Sequence, residues 1–370
     1  MSNKILFLTL RVFSATGGIE KVCRILSKAF YEMSFSGSSC FEVISSHDKT
    51  KDGFNNKYLP DERFTGHGNS RLGFVKLALK KGIHSDTVIL SHINLLPVGW
   101  LIKKVSPKTR LIMMAHGIEI WSMPLGIKKK LLNACDEILC VSQYTKDQIA
   151  SFPELKKVKL TVLNNCLDPY LSIHSKQKYE NSIRAKLGIL NTDKVAFTLT
   201  RMDASERYKG YDRVIEAIAA IREEVPELKY VIGGSYDSIE KEYILTLADK
   251  LKVSGNIILT GYIPDEALED YFQMSDFYVM PSYNEGFGIV FIEAMYYGLP
   301  VIAGNKDGSV DALLNGKLGT LIDPMNINDL KHAILAIVKN KENYKPDKKI
   351  LIDNFGYENY THNLKSIFLN

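Results

Sequence analysis

The sequence has 370 residues, of which 45% are hydrophobic and 24% charged, the balance of a soluble globular chain with two ordinary domains. Net charge is +5 and uneven: the first 170 residues hold 24 Lys and Arg against 14 Asp and Glu, the remainder 23 against 28. The five cysteines (Cys23, Cys40, Cys135, Cys140, Cys166) have no metal-type spacing, and no zinc-finger or RNA-binding aromatic–glycine signature occurs; this speaks for a reducing compartment and against nucleic acid as a partner.

Ile5 to Leu10 is a continuous apolar run, too short for a signal peptide core or a membrane span and suited to a strand covered on both faces. It leads through Gly17-Gly18 into a helix over 19–33. Strand, glycine pair and helix open a doubly wound nucleotide-binding unit, although the spacing is not the GxGxxG of dinucleotide sites. Gly17 and Gly18 either admit a ligand close to the backbone or simply make a tight turn. Further strands are expected at 41–45, 86–91, 110–115, 137–141 and 158–163, with a helix at 72–81. The polar stretch 47–68 reads as a long loop without an element, usually functional or mobile. Polar residues gather where these strands end: His92 and Asn94, His116-Gly117, Ser142, Asn164-Asn165. That edge of a parallel sheet is where ligands bind. His116 can donate or accept there near neutral pH, or it is a loop histidine satisfied by backbone.

Residues 170–191 read as a linker into a second domain. A strand at 194–200 then enters a loop holding Arg201, Arg207 and Lys209, ahead of a helix over 211–224. Cations before a helix start are unfavourable unless an anion joins them, and Arg and Lys together suit a diphosphate; the alternative is ordinary surface charge. A strand at 230–234 ends in Gly233-Gly234, suited to close approach by a base or ribose. Another at 256–260 precedes Gly261-Tyr262, with a helix at 265–274. The strand 277–280 delivers PSYNEGFGIVFIEAMYYGLP, residues 281–300. Residues 286–297 of it read as a helix buried nearly all round, with Glu293 inside the apolar run and Glu285 just before it. A buried charge costs several kcal/mol unless paired. Gly286 and Gly288 open the helix to a ligand, and a helix N-terminus is an anion site; the alternative is a core helix whose Glu293 meets a buried Lys or Arg. A strand at 298–303, a loop at 307–312 and helices at 326–338 and 357–368 complete the chain.

These residues resemble the retaining glycosyltransferases of family 4, which have the GT-B fold. Glu285 and Glu293, with seven residues between them in NEGFGIVFIEAMYYGLPVIA, look like the family's paired-glutamate signature. The match extends to Arg201, Lys209-Gly210, Gly233-Gly234, Gly261-Tyr262 and Asp323-Pro324, and more loosely to Gly17-Gly18, His116-Gly117, Ser142 and Asn165 to Asp168. The spacing from Arg201 to Lys209 is longer than the commonest family version, which leaves open whether Arg201 or Arg207 meets the diphosphate.

The resemblance implies two Rossmann-like α/β domains with parallel sheets, facing across a cleft: residues 1–170 with a returning helix at 356–370, and a donor-binding domain at 171–355. It implies a metal-independent hexosyltransferase that moves a sugar from a GDP- or UDP-sugar to a hydroxyl of a glycan or lipid-linked acceptor, in polysaccharide or glycoconjugate synthesis. Arg201 and Lys209 would hold the diphosphate, helped by the amides of Gly286, Phe287, Gly288, Ile289 and Val290. Glu285 would accept from the donor sugar, Glu293 from the ribose, and His116 would touch the sugar from the other domain. Gly17, Gly18, Gly233 and Tyr262 would complete the donor site. No cofactor is expected beyond the nucleotide sugar, and no D-x-D metal motif occurs. The expected location is cytoplasmic, with the basic first domain, through Lys103-Lys104 and Lys128 to Lys130, on an anionic membrane face. A sugar-nucleotide epimerase, a phosphorylase and a non-catalytic sugar-nucleotide-binding subunit are the alternatives.

Overall fold

A computed structural model describes residues 4–35, 40–121, 127–171 and 180–369. The chain forms two compact units: residues up to Pro169 together with those from Tyr357, and Tyr170–Gly356. The expected linker falls partly on 172–179, outside the described residues.

The first unit is a seven-stranded parallel sheet: β1 (Lys4–Thr9), β2 (Cys40–Ser45), β3 (Phe64–Gly66), β4 (Thr87–Leu90), β5 (Arg110–Ala115), β6 (Glu137–Cys140) and β7 (Lys159–Val162). Its spatial order is β3-β2-β1-β4-β5-β6-β7. Helices α1 (Gly18–Phe35), α2 (Arg71–Gly82), α3 (Leu96–Val105), α4 (Ile118–Trp121), α5 (Ile127–Leu132) and α6 (Gln143–Ala150) connect the strands. Central strands are buried on both faces, as their unbroken apolar runs require. Leu8 pairs in register with Ile44 and Leu90, and all three are buried.

The second unit opens with α7 (Glu180–Lys186) and builds a six-stranded parallel sheet. Its elements are β8 (Lys194–Leu199), α8 (Tyr211–Ile221), β9 (Leu228–Gly233), α9 (Ser238–Lys250), β10 (Ile257–Gly261), α10 (Leu268–Gln273), β11 (Phe277–Met280), α11 (Ile289–Tyr296), β12 (Val301–Gly304), α12 (Ser309–Ala312), β13 (Thr320–Ile322), α13 (Ile327–Lys339) and α14 (Lys348–Phe355). The order β10-β9-β8-β11-β12-β13 reverses direction between β8 and β11. The last helix, α15 (Tyr357–Leu369), belongs to the first unit. There Phe368 packs edge-on against Phe30 at 5 Å or less (4.7 Å), and Arg110 donates to the Ile367 carbonyl at 3.2 Å.

Several elements depart from the sequence reading. The 47–68 stretch contains the edge strand β3, and 307–312 contains the short helix α12. Elements of three or four residues are too brief to show a period. The helix expected from 286 begins at Ile289 instead, because Gly288 adopts φ +80°, a left-handed conformation that interrupts a helix. Among the described residues, no helix is long and apolar enough to cross a membrane.

Candidate functional site

In the second unit, the loops after β8 and β11 stand side by side where the strand order reverses. Such a switch point opens a crevice at the carboxyl ends of the strands. The β8 loop, Thr200 to Gly210, brings three cations with different fates. Arg207 makes a two-pronged bond to Glu240, with Nε to Oε1 at 2.9 Å and Nη2 to Oε2 at 2.8 Å. Its guanidinium also lies over the Tyr243 ring, 3.6 Å from the centroid. Glu240 is fully buried, and the Tyr211 hydroxyl donates to it at 2.6 Å. Arg207 is thus committed to pinning the loop onto α9. Arg201, with a side chain 66% exposed, pairs only with the nearby Glu206 among the described contacts.

Lys209 is mostly buried and pairs with Glu285. Burial alone would pull its ammonium down, but the Glu285 carboxylate, with Tyr208 and Asp307 nearby, more than offsets this and raises it above its ordinary value. The pair joins the β8 loop to the β11 loop.

The β11 loop runs from Pro281 to Gly288 and ends at α11. Among the described residues, the backbone N–H groups of Gly286, Phe287, Gly288, Ile289 and Val290 meet no protein acceptor. Four of these residues are buried, and buried amides normally find a partner. The first turn of α11 carries no acidic side chain. Five consecutive open amides near Lys209 have the chemistry that suits an anion. Glu293 sits one turn into α11 and is 3% exposed.

Asp307, which sequence reasoning missed, lies beneath this loop and is fully buried. Its carboxylate accepts from the Glu285 amide at 2.6 Å, the Ser282 hydroxyl at 2.8 Å and the Ser309 amide at 2.9 Å. Burial pushes it up to about 6, against the pull of these bonds. Gly308 follows because a Cβ there would collide with the Gly286 carbonyl.

Gly233 and Gly234 lie at the end of β9. Both have packing reasons of their own: a Cβ would strike the Ile263 side chain at the first and the Thr200 carbonyl at the second. Tyr262 follows β10 and is 58% exposed.

The remaining expected site residues belong to the first unit. Its sheet reverses order between β1 and β4. Gly17, just before α1, and Gly18, its first residue, are exposed. A Cβ on Gly18 would meet nothing within 4 Å, so packing does not demand glycine there. His116 follows β5, and its Nε2 lies 2.8 Å from the Ser91 carbonyl. A carbonyl only accepts, so Nε2 carries the proton and Nδ1 is the acceptor of the neutral ring. The Glu119 carboxylate accepts from the His116 amide at 2.6 Å. Asp48, also missed, is fully buried and gathers the amides of Val12 (2.7 Å), Phe13 (3.3 Å) and Ser14 (2.8 Å). Of the basic residues read as a membrane face, Lys103 is bound to Asp136 at 2.7 Å and to the Thr109 carbonyl at 2.8 Å. The side chains of Lys128 and Lys129 lie outside the described residues.

Residues 180–350, the part that builds this switch-point site, match the family model described as glycosyl transferases group 1. Through this domain the chain is similar to the group 1 glycosyltransferases. The GDP-mannose-dependent alpha-(1-6)-phosphatidylinositol monomannoside mannosyltransferase of Mycolicibacterium smegmatis is 29% identical over 242 residues, 61% of this chain. That match spans 60% of the mannosyltransferase's own length. Mannosylfructose-phosphate synthase of Agrobacterium fabrum is 26% identical over 58% of this chain and 47% of its own. Among solved structures, Anabaena HepE in complex with UDP and glucose superposes with a TM-score of 0.79 at 20% identity, covering 99% of both chains. Sucrose-phosphate synthase from Thermosynechococcus elongatus gives 0.78 at 18% identity, covering 99% of this chain and 98% of its own. At such identities the likeness speaks for the fold, and that fold is GT-B.

Proposed function

We propose that this protein is a retaining glycosyltransferase of family 4. It moves a hexosyl group from a nucleoside-diphosphate sugar to a hydroxyl of a glycan or lipid-linked acceptor. The observation that carries this reading is the run of five open amides from Gly286 to Val290, following the Glu285 that Lys209 pairs with. Their shared chemistry is recognition of a diphosphate. HepE, whose structures hold UDP and UDP-glucose, and the GDP-mannose-dependent relative support a nucleotide sugar as the ligand.

In this reading the bond from the sugar's anomeric carbon to the diphosphate breaks, and the diphosphate leaves with the electron pair. Lys209, Arg201 and the α11 amides stabilise the charge that develops on it, an electrostatic contribution made in place before the reaction. The acceptor oxygen bonds to the same face of the anomeric carbon, and its proton passes to the leaving phosphate. Arg201 is the arginine able to serve, since Arg207 is occupied by Glu240. Glu285 accepts from the sugar hydroxyls and Glu293 from the ribose. Gly233 and Tyr262 border the nucleotide. The diphosphate charge is carried without a metal.

We place the reaction in polysaccharide or glycoconjugate synthesis at the cytoplasmic face of a membrane, with the basic first unit against anionic lipid. Vesicle binding at low salt checks this: binding to anionic vesicles that does not exceed binding to neutral ones removes it.

The function is tested with a panel of UDP-, GDP- and ADP-sugars, first by thermal shift and then by nucleotide release with acceptors. One of them raises Tm, and Glu293→Ala weakens its binding. If none shifts Tm, the donor site is misassigned. Conversion of the donor without an acceptor would instead mark an epimerase, and binding with no turnover on any acceptor a non-catalytic subunit.

A further inference from the structure

Asp307 lies outside every residue assigned to the ligand, yet its contacts converge on one of them. One carboxylate oxygen takes both the Glu285 amide and the Ser282 hydroxyl; the other takes the Ser309 amide. From the next residue, the Gly308 amide donates to the Glu285 carbonyl at 2.8 Å. Both peptide groups of Glu285 are therefore held by the 307–308 segment. The Ser282 and Ser309 hydroxyls stand 3.2 Å apart and close the ring.

A frame alone would not need a carboxylate here. Asn, Ser or Thr could accept from these groups without a buried charge, which is costly. The Glu285 carboxylate adds to that cost by like-charge repulsion. The other charged or titratable groups that feel Asp307 are Lys209, which is paired with Glu285, and Tyr208. A conflict of this kind is kept where function needs it. The ionised carboxylate gives shorter and stronger bonds than a neutral acceptor, and those bonds fix the residue that faces the sugar.

We propose that Asp307 is a positioning residue for the transferred sugar: by anchoring the Glu285 backbone it sets how the donor's sugar hydroxyls are held, without touching the ligand. This rests on the donor-site reading above.

The test uses the full chain, with UDP and GDP as bare nucleotides and whichever sugar nucleotide the panel selects. Asp307→Asn preserves shape and removes the charge. Affinity for the bare nucleotide stays within about twofold of wild type, while affinity for the sugar nucleotide and kcat each fall about tenfold. In a Glu285→Gln background the same change adds less than about twofold, because both act through one residue. Equal losses for nucleotide and sugar nucleotide, or full additivity with Glu285→Gln, overturn the proposal and leave Asp307 as part of the frame. If Asp307→Asn does not fold, Ser282→Ala removes one donor to the carboxylate. It should give the same sugar-selective loss at about threefold, and no selectivity would again overturn the idea. A wild type that binds no sugar nucleotide brings down the donor site and this inference with it. A wild type that binds one, with an unaffected Asp307→Asn, brings down this inference alone.

Discussion

Asp48 in the first unit and Asp307 in the second are both fully buried carboxylates next to the loop that follows a central strand. They leave those loops in opposite states. Asp48 collects three successive amides, from Val12 to Ser14, and the Ser45 hydroxyl at 2.5 Å. The helix that follows, α1, carries Glu20 in its first turn, with a carboxylate oxygen close to where a Gly17 side chain would begin. Its positive end already faces a negative charge of its own. From its loop Asp307 takes one amide, that of Glu285, with the Ser282 hydroxyl, and leaves the next five amides open, ahead of a helix with no acidic first turn. The same device, a buried aspartate gathering N–H groups, closes one loop and presents the other. Open amides suited to an anion are therefore found in the second unit's loop, whereas the first unit's loop is satisfied internally.

The largest expected break of this contrast is Lys209→Ala. It removes the cation beside the open amides, and kcat should fall about 10²–10³-fold, the usual loss for one preorganised charge-stabilising donor. Steady-state nucleotide release measures it, and unchanged kcat would move the anion site elsewhere.

Asp48→Asn probes the other side. It weakens a fully buried acceptor in the first unit, and stability should drop by about 1–3 kcal/mol as read by urea unfolding. Nucleotide affinity of the folded protein should not change. A change in affinity would mean that the first unit's loop takes part in anion binding after all.

Much of this was legible along the chain, and what escaped shares one physical cause. Strands buried on both faces announce themselves as apolar runs, and Glu293 inside such a run, with Lys209 ahead of a helix, is a local anomaly. Asp48 and Asp307 are not anomalies in sequence, since an aspartate in a polar loop is ordinary. Their meaning comes from amides 34 to 36 residues away for Asp48 and 22 away for Asp307. Likewise, Arg207 could be told from Arg201 only through Glu240, 33 residues further on. Edge strands β3 and β13, three residues each, hold too few alternations to show.

A smaller effect comes from pH. Burial raises Asp307 to about 6 in the folded protein, above the ordinary carboxylate value of about 3.9. Between these values the folded state holds a proton that the unfolded state has released. The contribution is fully present below about 4 and is lost as pH rises through about 6. Asp307→Asn should flatten that part of the Tm-against-pH curve. If the slope survives Asp307→Asn, it belongs to another group.

The mildest prediction concerns Glu206, the partner of the exposed Arg201. Glu206→Gln frees that guanidinium for a ligand, and nucleotide affinity should rise about two- to threefold at low salt, fading as salt screens it. Calorimetric titration at two salt concentrations distinguishes this from no effect, which would detach Arg201 from the site.

The placement of α15 has a consequence for how the chain is assembled. The second unit is one continuous segment, Tyr170–Gly356, whereas the first unit is interrupted by it and needs residues from Tyr357 onward. During synthesis from the amino end, the second unit can close around its own sheet as soon as it emerges. The first unit, although made earlier, must wait for Phe368 and Ile367 to complete the contacts of Phe30 and Arg110. The unit translated first is thus the one completed last, and shortening or blocking α15 harms the beginning of the chain rather than the domain beside it in sequence.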